Sequence, residues 1–240
     1  MIQKIQRNRV VIWYNDEIIK KPSFLLFSYE YWSAKNKVVG KATGRGTTWF
    51  IQLSHMQAAL RHYRRGGLLS KLVRDLYVFS QWETTRSYQE FSLLNKLITL
   101  GVNVPRPIAA VAIQKGPFYQ ADLLCERIPN AKNLLDILQK KPIEEKLYQN
   151  IGIEIARMHN TSVNHADLNI RNILIDKQEK VWIIDFDKCC VQLTNSWKKN
   201  NLSRLKNSFI KETSKHQIYW ERENFLHILK GYDDCVESNK

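Results

Sequence analysis

Apolar residues along this chain recur either in short unbroken or alternating runs or at a helical period, and each pattern predicts a kind of element. Val10–Tyr14 and Phe24–Phe27 read as strand-like pieces between polar turns. Val38–Ile51 reads as two antiparallel strands joined by a turn, with Gly40, Gly44 and Gly46 along it. Tyr88, Phe91, Leu94, Leu97 and Ile98 repeat at a helical period across Ser87–Leu100, and Gly101 ends that helix. Ile108–Ile113 and Phe118–Arg127 predict two strands around a Gly116-Pro117 turn. Asn133–Gln139 and Ile143–His159 predict helices, the second with Leu147, Ile151, Ile155 and Met158 on one face. Ile173–Ile175 and Val181–Ile184 flank the polar turn Asp176–Lys180 and predict a β-hairpin. Beyond it come an amphipathic basic helix, Trp197–Ile210, a last helix near Ile218–Lys230, and a frayed tail, Asp233–Lys240. The fold class is therefore α+β, and the Pro129-containing connection near residue 128 divides it into expected domains 1–127 and 128–240.

Composition narrows the class. With 240 residues, 44% hydrophobic and 11% aromatic, the chain has enough apolar material for one large domain or two lobes. No apolar run approaches the roughly 18 residues of a membrane span, and the first nine residues have no apolar core of a secretory signal. A cytoplasmic protein is expected. Cys125, Cys189, Cys190 and Cys235 show no C-x-x-C spacing, which argues against a zinc site. The net charge of +14 favours an anionic partner: nucleic acid, an acidic lipid surface or a polyphosphorylated substrate. A well-solvated basic surface has the same composition.

The chemistry concentrates around the predicted hairpin. His165-Ala166-Asp167-Leu168-Asn169-Ile170-Arg171-Asn172 precedes it and Asp185-Phe186-Asp187 follows it. Asp167, Asn172 and Asp185 would then meet at one end. Phosphoryl transfer needs this grouping: a carboxylate near the acceptor hydroxyl and two oxygen ligands for Mg²⁺ beside the nucleotide phosphates. The spacing matches the protein-kinase pattern H-x-D-L-x-x-x-N…D-F. A polar turn between two strands would explain any one of these residues but not the set.

Three further stretches fit the same chemistry. Backbone N–H groups around Gly44 and Gly46 can approach phosphate closely because no Cβ intervenes, although a plain hairpin would look alike. Ala59-Leu60-Arg61 stands where a kinase shows V-A-I-K, with arginine for lysine. Glu90, near the start of the predicted helix, is positioned to pair with Arg61, and the backbone from Glu126 to Ile128 would meet the adenine. His62, Arg64 and Arg65 could contact an anionic acceptor or a lipid surface, or be a solvated basic turn.

With Gly44-Arg45-Gly46-Thr47, Leu60-Arg61-His62-Tyr63-Arg64-Arg65-Gly66-Gly67-Leu68, His165–Leu174 and Ile184-Asp185-Phe186-Asp187-Lys188 in hand, the chain resembles the lipopolysaccharide kinases, most closely those acting on 3-deoxy-D-manno-octulosonic acid (Kdo), from about Gly40 to Phe209. The resemblance implies a two-lobed, protein-kinase-like fold that uses ATP and Mg²⁺. The implied acceptor is the 4-hydroxyl of a Kdo sugar on a lipid A precursor. Asp167 is implied as the catalytic group and Asn172 and Asp185 as metal ligands. A protein bound peripherally to an anionic membrane surface, at the cytoplasmic face of the inner membrane, is expected, with no nucleic acid partner.

The departures from the protein-kinase pattern are specific. Asp187 replaces the glycine of D-F-G. Asn169 replaces the lysine two positions after the catalytic aspartate, and Arg171 is expected to take over its contact with the γ-phosphate. Only nine residues separate Asp187 from Trp197, too few for a peptide-binding activation segment, so a glycolipid or small-molecule acceptor is preferred to a protein. Heptose kinases, antibiotic phosphotransferases and atypical protein kinases are the alternatives.

Overall fold

Pro107–Lys115 is buried without interruption from Pro107 to Ala112, as expected of a strand covered on both faces. It is the seventh of eight strands in the first of two units of the chain, Met1–Asn95 with Arg106–Arg127; the second is Lys96–Pro105 with Ile128–Lys240. The computed structural model describes residues 1–44, 46–65 and 75–237. Arg45, Gly66, Gly67 and Leu68 of the motifs above lie outside the described residues.

The strands of the first unit are β1 (Ile2–Arg7), β2 (Val10–Asn15), β3 (Val38–Thr43), β4 (Thr47–Gln52), β5 (Gln57–His62), β6 (Tyr77–Val78), β7 (Pro107–Lys115) and β8 (Phe118–Glu126). They pair antiparallel in the order β1-β2-β7-β8-β5-β4-β3, with β6 on β8. Its helices are α1 (Tyr29–Ala34) and α2 (Arg86–Thr99), the latter crossing the division between units.

Each face of the sheet has its own cover. Ile12, Ile51, Ala58, Leu60, Val111 and Leu124 form one apolar surface, closed by Leu26, Phe27 and Trp32. On the other face α2 seats Tyr88 against Trp13, with ring centroids 4.9 Å apart, and Ser87 Oγ donates to the Val111 carbonyl at 2.9 Å.

Phe24–Phe27 is a 3₁₀ turn rather than a strand-like piece. Phe24 and Leu25 stay exposed while Leu26 and Phe27 cover the sheet, an i, i+1 pattern that strand alternation cannot supply. Ser28 Oγ then accepts Tyr31 N–H at 3.1 Å and starts α1.

In the second unit, β9 (Lys132–Asn133), α3 (Leu134–Leu138), α4 (Glu145–Asn160), β10 (Val163–Asn164), β11 (Ile173–Ile175), β12 (Val181–Ile183), β13 (Cys190–Val191), α5 (Ser196–His216) and α6 (Asn224–Glu237) follow in order. The predicted hairpin is β11–β12, with β9 on its outer edge, and β10 pairs with β13. Gly101 takes φ +78°, and Val102 N–H returns to Leu97 O at 3.0 Å, which stops α2. Residues 96–105 count with this unit rather than with 1–127 for a chemical reason. Asn103 gives its N–H and Nδ2–H to the Glu154 carboxylate of α4, at 2.6 and 2.8 Å, and its carbonyl accepts Ile183 N–H at 3.0 Å.

The basic helix α5 packs its apolar side, with Trp197, Leu205 and Phe209 buried. The last helix starts six residues later than its apolar pattern suggested. Ile218 and Trp220 are buried ahead of it, Trp220 stacked on Phe209 with centroids 5.1 Å apart, so they are core residues of a connection. The expected fraying from Asp233 does not occur through Glu237, because Tyr232 anchors that end.

Helices α4 and α6 touch backbone to backbone. A Cβ on Gly152 would lie 2.0 Å from Ile228 O, and one on Gly231 would lie 2.1 Å from Gln149 O. Gly152→Ala and Gly231→Ala are therefore each expected to lower the unfolding free energy by about 1–3 kcal/mol or more, read as a lower urea midpoint. Gly44→Ala, where an added Cβ meets nothing within 4 Å, serves as the reference and shifts it little. Unchanged midpoints in both helix variants would refute the close crossing.

Candidate active site

The loop between α4 and β11 carries Asp167. Leu168 and Ile170 are buried, while Asp167 and Asn169 are half-buried. Asp167 O accepts two side-chain amides, Asn169 Nδ2–H at 2.8 Å and Asn172 Nδ2–H at 2.9 Å. Asn172 N–H donates to Asn169 O at 3.0 Å, and Asn172 O accepts Ile184 N–H at 3.0 Å. Asn172 thus ties the loop before the hairpin to the residue just before Asp185. These bonds bring Asp167 and Asn172 together, and Asp185 follows Ile184 directly in the chain.

Asp185 has φ +66°, a left-handed conformation that costs a non-glycine residue energy and that aspartate tolerates better than most. The kink buries Phe186 against the His165 ring, with centroids 4.9 Å apart at 64°. His165 fixes both sides of the site. Its Nδ1 accepts Asp167 N–H at 3.2 Å, so its Nε2–H donates to Ile184 O at 3.1 Å. Burial holds its pKa below the usual histidine value, which keeps the ring neutral as this pattern requires.

A buried polar chain supports His165 from behind. Asn201 Oδ1, on α5, accepts His165 N–H at 3.1 Å and lies 3.3 Å from His159 Nε2, while Asn201 Nδ2–H donates to Asn164 Oδ1 at 2.9 Å. His159 Nδ1 meets Tyr232 Oη at 2.9 Å. Ser208 Oγ accepts Ile170 N–H at 3.0 Å. None of these residues stands out in the sequence, because a buried histidine or asparagine leaves no periodic mark.

Arg171 Nε and Nη2 donate to Glu212 Oε1 and Oε2 at 3.2 and 3.0 Å, a two-pronged pair that fastens the loop to α5. Glu212 had a signal in retrospect, being the single acid in the basic stretch Ser196–His216.

In the first unit Arg61 Nη2 donates to Glu90 Oε2, as the sequence pairing required. Tyr63 Oη–H adds a second donor to the same oxygen at 2.7 Å. Glu90 is 4% exposed and Arg61 26%, so the carboxylate is the buried anchor and the guanidinium the reaching end. Gly44 and Gly46 lie between β3 and β4, with Gly44 N–H on Gly46 O at 2.9 Å. Glu126 ends β8, its N–H on Arg106 O at 2.8 Å, and Ile128 opens the second unit as a buried residue.

The donors present suit a hard cation. With Nδ2 of Asn172 committed to Asp167 O, its Oδ1 is the atom that would face a metal, and the Asp185 carboxylate would supply a second oxygen. No cluster of three or more His, Cys, Asp or Glu suited to a metal occurs among the described residues. Magnesium in phosphotransfer needs only one or two protein oxygens, because substrate phosphates and water complete its shell. The four cysteines form no disulfide, and Cys189 Sγ accepts Ala166 N–H at 3.4 Å.

Comparison with known proteins gives a consistent set of relatives. The model of the Lipopolysaccharide kinase (Kdo/WaaP) family matches residues 29–232. A Vibrio parahaemolyticus protein named 3-deoxy-D-manno-octulosonic acid kinase is 61% identical over 237 residues, 99% of either chain. Proteins of the same name are 57% identical in Vibrio cholerae, covering 97% of this chain and 98% of theirs, and 43% identical in Mannheimia succiniciproducens, covering 98% and 100%.

The buried histidines predict a pH response. Burial lowers the His159 pKa from 6.5 to about 3, so between those values the unfolded chain binds a proton that the folded chain refuses. Stability attributable to His159 is complete above pH 6.5 and falls below it, approaching about 1.4 kcal/mol per pH unit. Glu154, whose carboxyl pKa is raised by burial, acts in the opposite sense above pH 4.5. Urea unfolding of the wild type and His159→Gln between pH 7 and 5 separates the two. The variant is expected to show the shallower loss, and equal pH slopes would refute a neutral buried His159.

Proposed function

Because the chain belongs to the lipopolysaccharide kinase (Kdo/WaaP) family, we propose that it is an ATP-dependent kinase phosphorylating the 4-hydroxyl of a Kdo sugar on a lipid A precursor, in lipopolysaccharide core biosynthesis. The observation that supports this reading is the Asp167–Asn172–Ile184 tie, which joins the loop ahead of the hairpin to the residue before Asp185. The family's two-lobed, protein-kinase-like fold is the architecture proposed for the two units.

The reaction forms a bond between the acceptor oxygen and the γ-phosphorus and breaks the bond between that phosphorus and the β,γ-bridging oxygen, releasing ADP. Asp167 orients the acceptor hydroxyl and takes its proton. A sugar hydroxyl is a weak nucleophile, and in a loose transition state orientation supplies much of the rate. Arg61, braced by Glu90, meets the nucleotide phosphates, with the backbone of Gly44 and Gly46 over them and that of Glu126 and Ile128 on the adenine. Asn172 and Asp185 would hold Mg²⁺, which when bound neutralises phosphate charge. With Arg171 turned to Glu212, Arg61 is the cation left to that task in this proposal.

The acceptor class has separate support. Cys190 and Val191 of the short connection after Asp187 are tied into the β10–β13 pair, which leaves little chain to seat a peptide. Peripheral attachment at the cytoplasmic face of the inner membrane is supported by the charge of +14 and by Lys199, Arg204, Lys206, Lys211 and Lys215, all exposed on α5. No described helix is long and apolar enough to cross a membrane.

Purified protein with ATP, Mg²⁺ and a Kdo-bearing lipid A precursor is expected to add one phosphate to the glycolipid, detected by mass spectrometry. Asp167→Asn should lower turnover about 10³-fold while ATP binding persists. Phosphate appearing on heptose or on added protein, and not on Kdo, would overturn the acceptor. Undiminished turnover in the variant would overturn the role of Asp167.

A further inference from the structure

Leu193 is 90% exposed, more than any other large apolar side chain among the described residues, and Val191, two positions earlier, is 46% exposed. Neither sits on a loose loop. Gln192, between them, is held at three points. Its N–H donates to Ser162 O at 2.8 Å, its Oε1 accepts Asn164 Nδ2–H at 2.7 Å, and its carbonyl accepts Trp197 Nε1–H at 3.2 Å. Trp197 is itself buried in the first turn of α5. The second unit therefore holds a leucine out in solvent on a fixed base.

A lone exposed leucine is ordinary, and the charge around this one sets it apart. Between Asp187 and Glu212 the chain carries Lys188, Lys198, Lys199, Arg204, Lys206 and Lys211 and no acidic residue. Glu212, which ends the run, is buried and already engaged by Arg171. Trp197, Leu205 and Phe209 turn one side of α5 inward. On its exposed side the helical period sets Lys199 and Lys206 along one edge and Arg204, Lys211 and Lys215 along the other. Ser203, Asn207 and Ser214 lie between the two rows, all exposed.

Charge and tip together select the partner. Nucleic acid would use the cations but takes up bases on aromatic rings, and this tip is aliphatic. A stable protein interface buries roughly 800 Å² on each side, far more than two aliphatic side chains offer. An anionic bilayer takes both features, with headgroups on the cations and acyl chains around the leucine. We infer that Val191, Leu193 and the exposed side of α5 form the face that docks on an anionic membrane, with Leu193 entering the bilayer. This inference rests on the membrane-borne acceptor proposed above. Docking there would also orient the chemistry. Ser208 and Glu212 of α5 hold the loop bearing Asp167, so a helix lying on headgroups fixes that loop relative to the lipid surface.

The probe is a vesicle of phosphatidylethanolamine with phosphatidylglycerol, compared with one of phosphatidylcholine, each sedimented with the full chain. Wild type is expected to bind the anionic vesicles and not the neutral ones. Leu193→Ser is expected to weaken that binding about tenfold. Lys199→Gln combined with Lys206→Gln should weaken it and flatten its salt dependence. Phosphate transfer to a deacylated, water-soluble Kdo acceptor should be the same in wild type and Leu193→Ser, while the KM for acceptor embedded in vesicles rises in the variant. Anionic-vesicle binding that Leu193→Ser leaves unchanged would overturn the inserting tip, and equal binding to both kinds of vesicle would overturn the role of the cations. A dimer that Leu193→Ser makes monomeric, with no vesicle binding, would give the face to a second copy of the chain. Transfer to the soluble acceptor without vesicle binding removes the docking face and leaves the kinase reading. Vesicle binding that Leu193→Ser weakens, with no transfer to either acceptor, removes the kinase reading and leaves the face.

Discussion

The carbonyl oxygen of Asp167, clasped by the amides of Asn169 and Asn172, is the contact on which the second unit turns. Through it the loop ahead of the hairpin and the residue behind it share one frame, since Asn172 also receives Ile184 N–H. A buried polar group left unmatched costs more than a matched one returns, and each element around the loop supplies a match. Helix α5 gives Asn201 and Ser208, and α4 gives His159, which Tyr232 of α6 completes. Glu212 and Arg171 close the outer side. The helices are therefore more than a hydrophobic support: α5 reaches the loop directly, α4 through Asn201, and α6 through His159 and Asn201.

The first unit solves a different problem. A strand carrying Leu60, Arg61, His62 and Tyr63 in succession has to find partners for charge on both faces. Glu90 of α2 answers on one side, and Asp122 with Asp75 answers on the other. A cation embedded near a sheet without such partners would be expensive to keep.

Much of this was legible in the sequence, and for physical reasons. The β11–β12 hairpin, α2 and α4 declare themselves because burying one face of a regular element imposes a period on the apolar residues. Arg61 and Glu90 could be paired because a strand and a helix each fix where a side chain points. Phe24–Phe27 misled because four apolar residues in a row have no period at all. Ile218 and Trp220 misled because burial in a connection looks, in one dimension, like the first turn of a helix. Arg171 could not be placed in advance, since its partner Glu212 lies forty-one residues away and only the folded chain brings them together. His159 and Asn201 were invisible for the same reason.

Alternation along β5 has a consequence for how this protein can change. Substitutions can alter the Arg61 face and the His62 face one at a time, since successive side chains never share a side. A single inserted or deleted residue in the strand would exchange the two sets at once, pointing His62 at Glu90 and Arg61 to the face of Leu60 and Asp122. The segment Gln57–His62 thus behaves as a two-sided ruler: its letters are editable, its length is not.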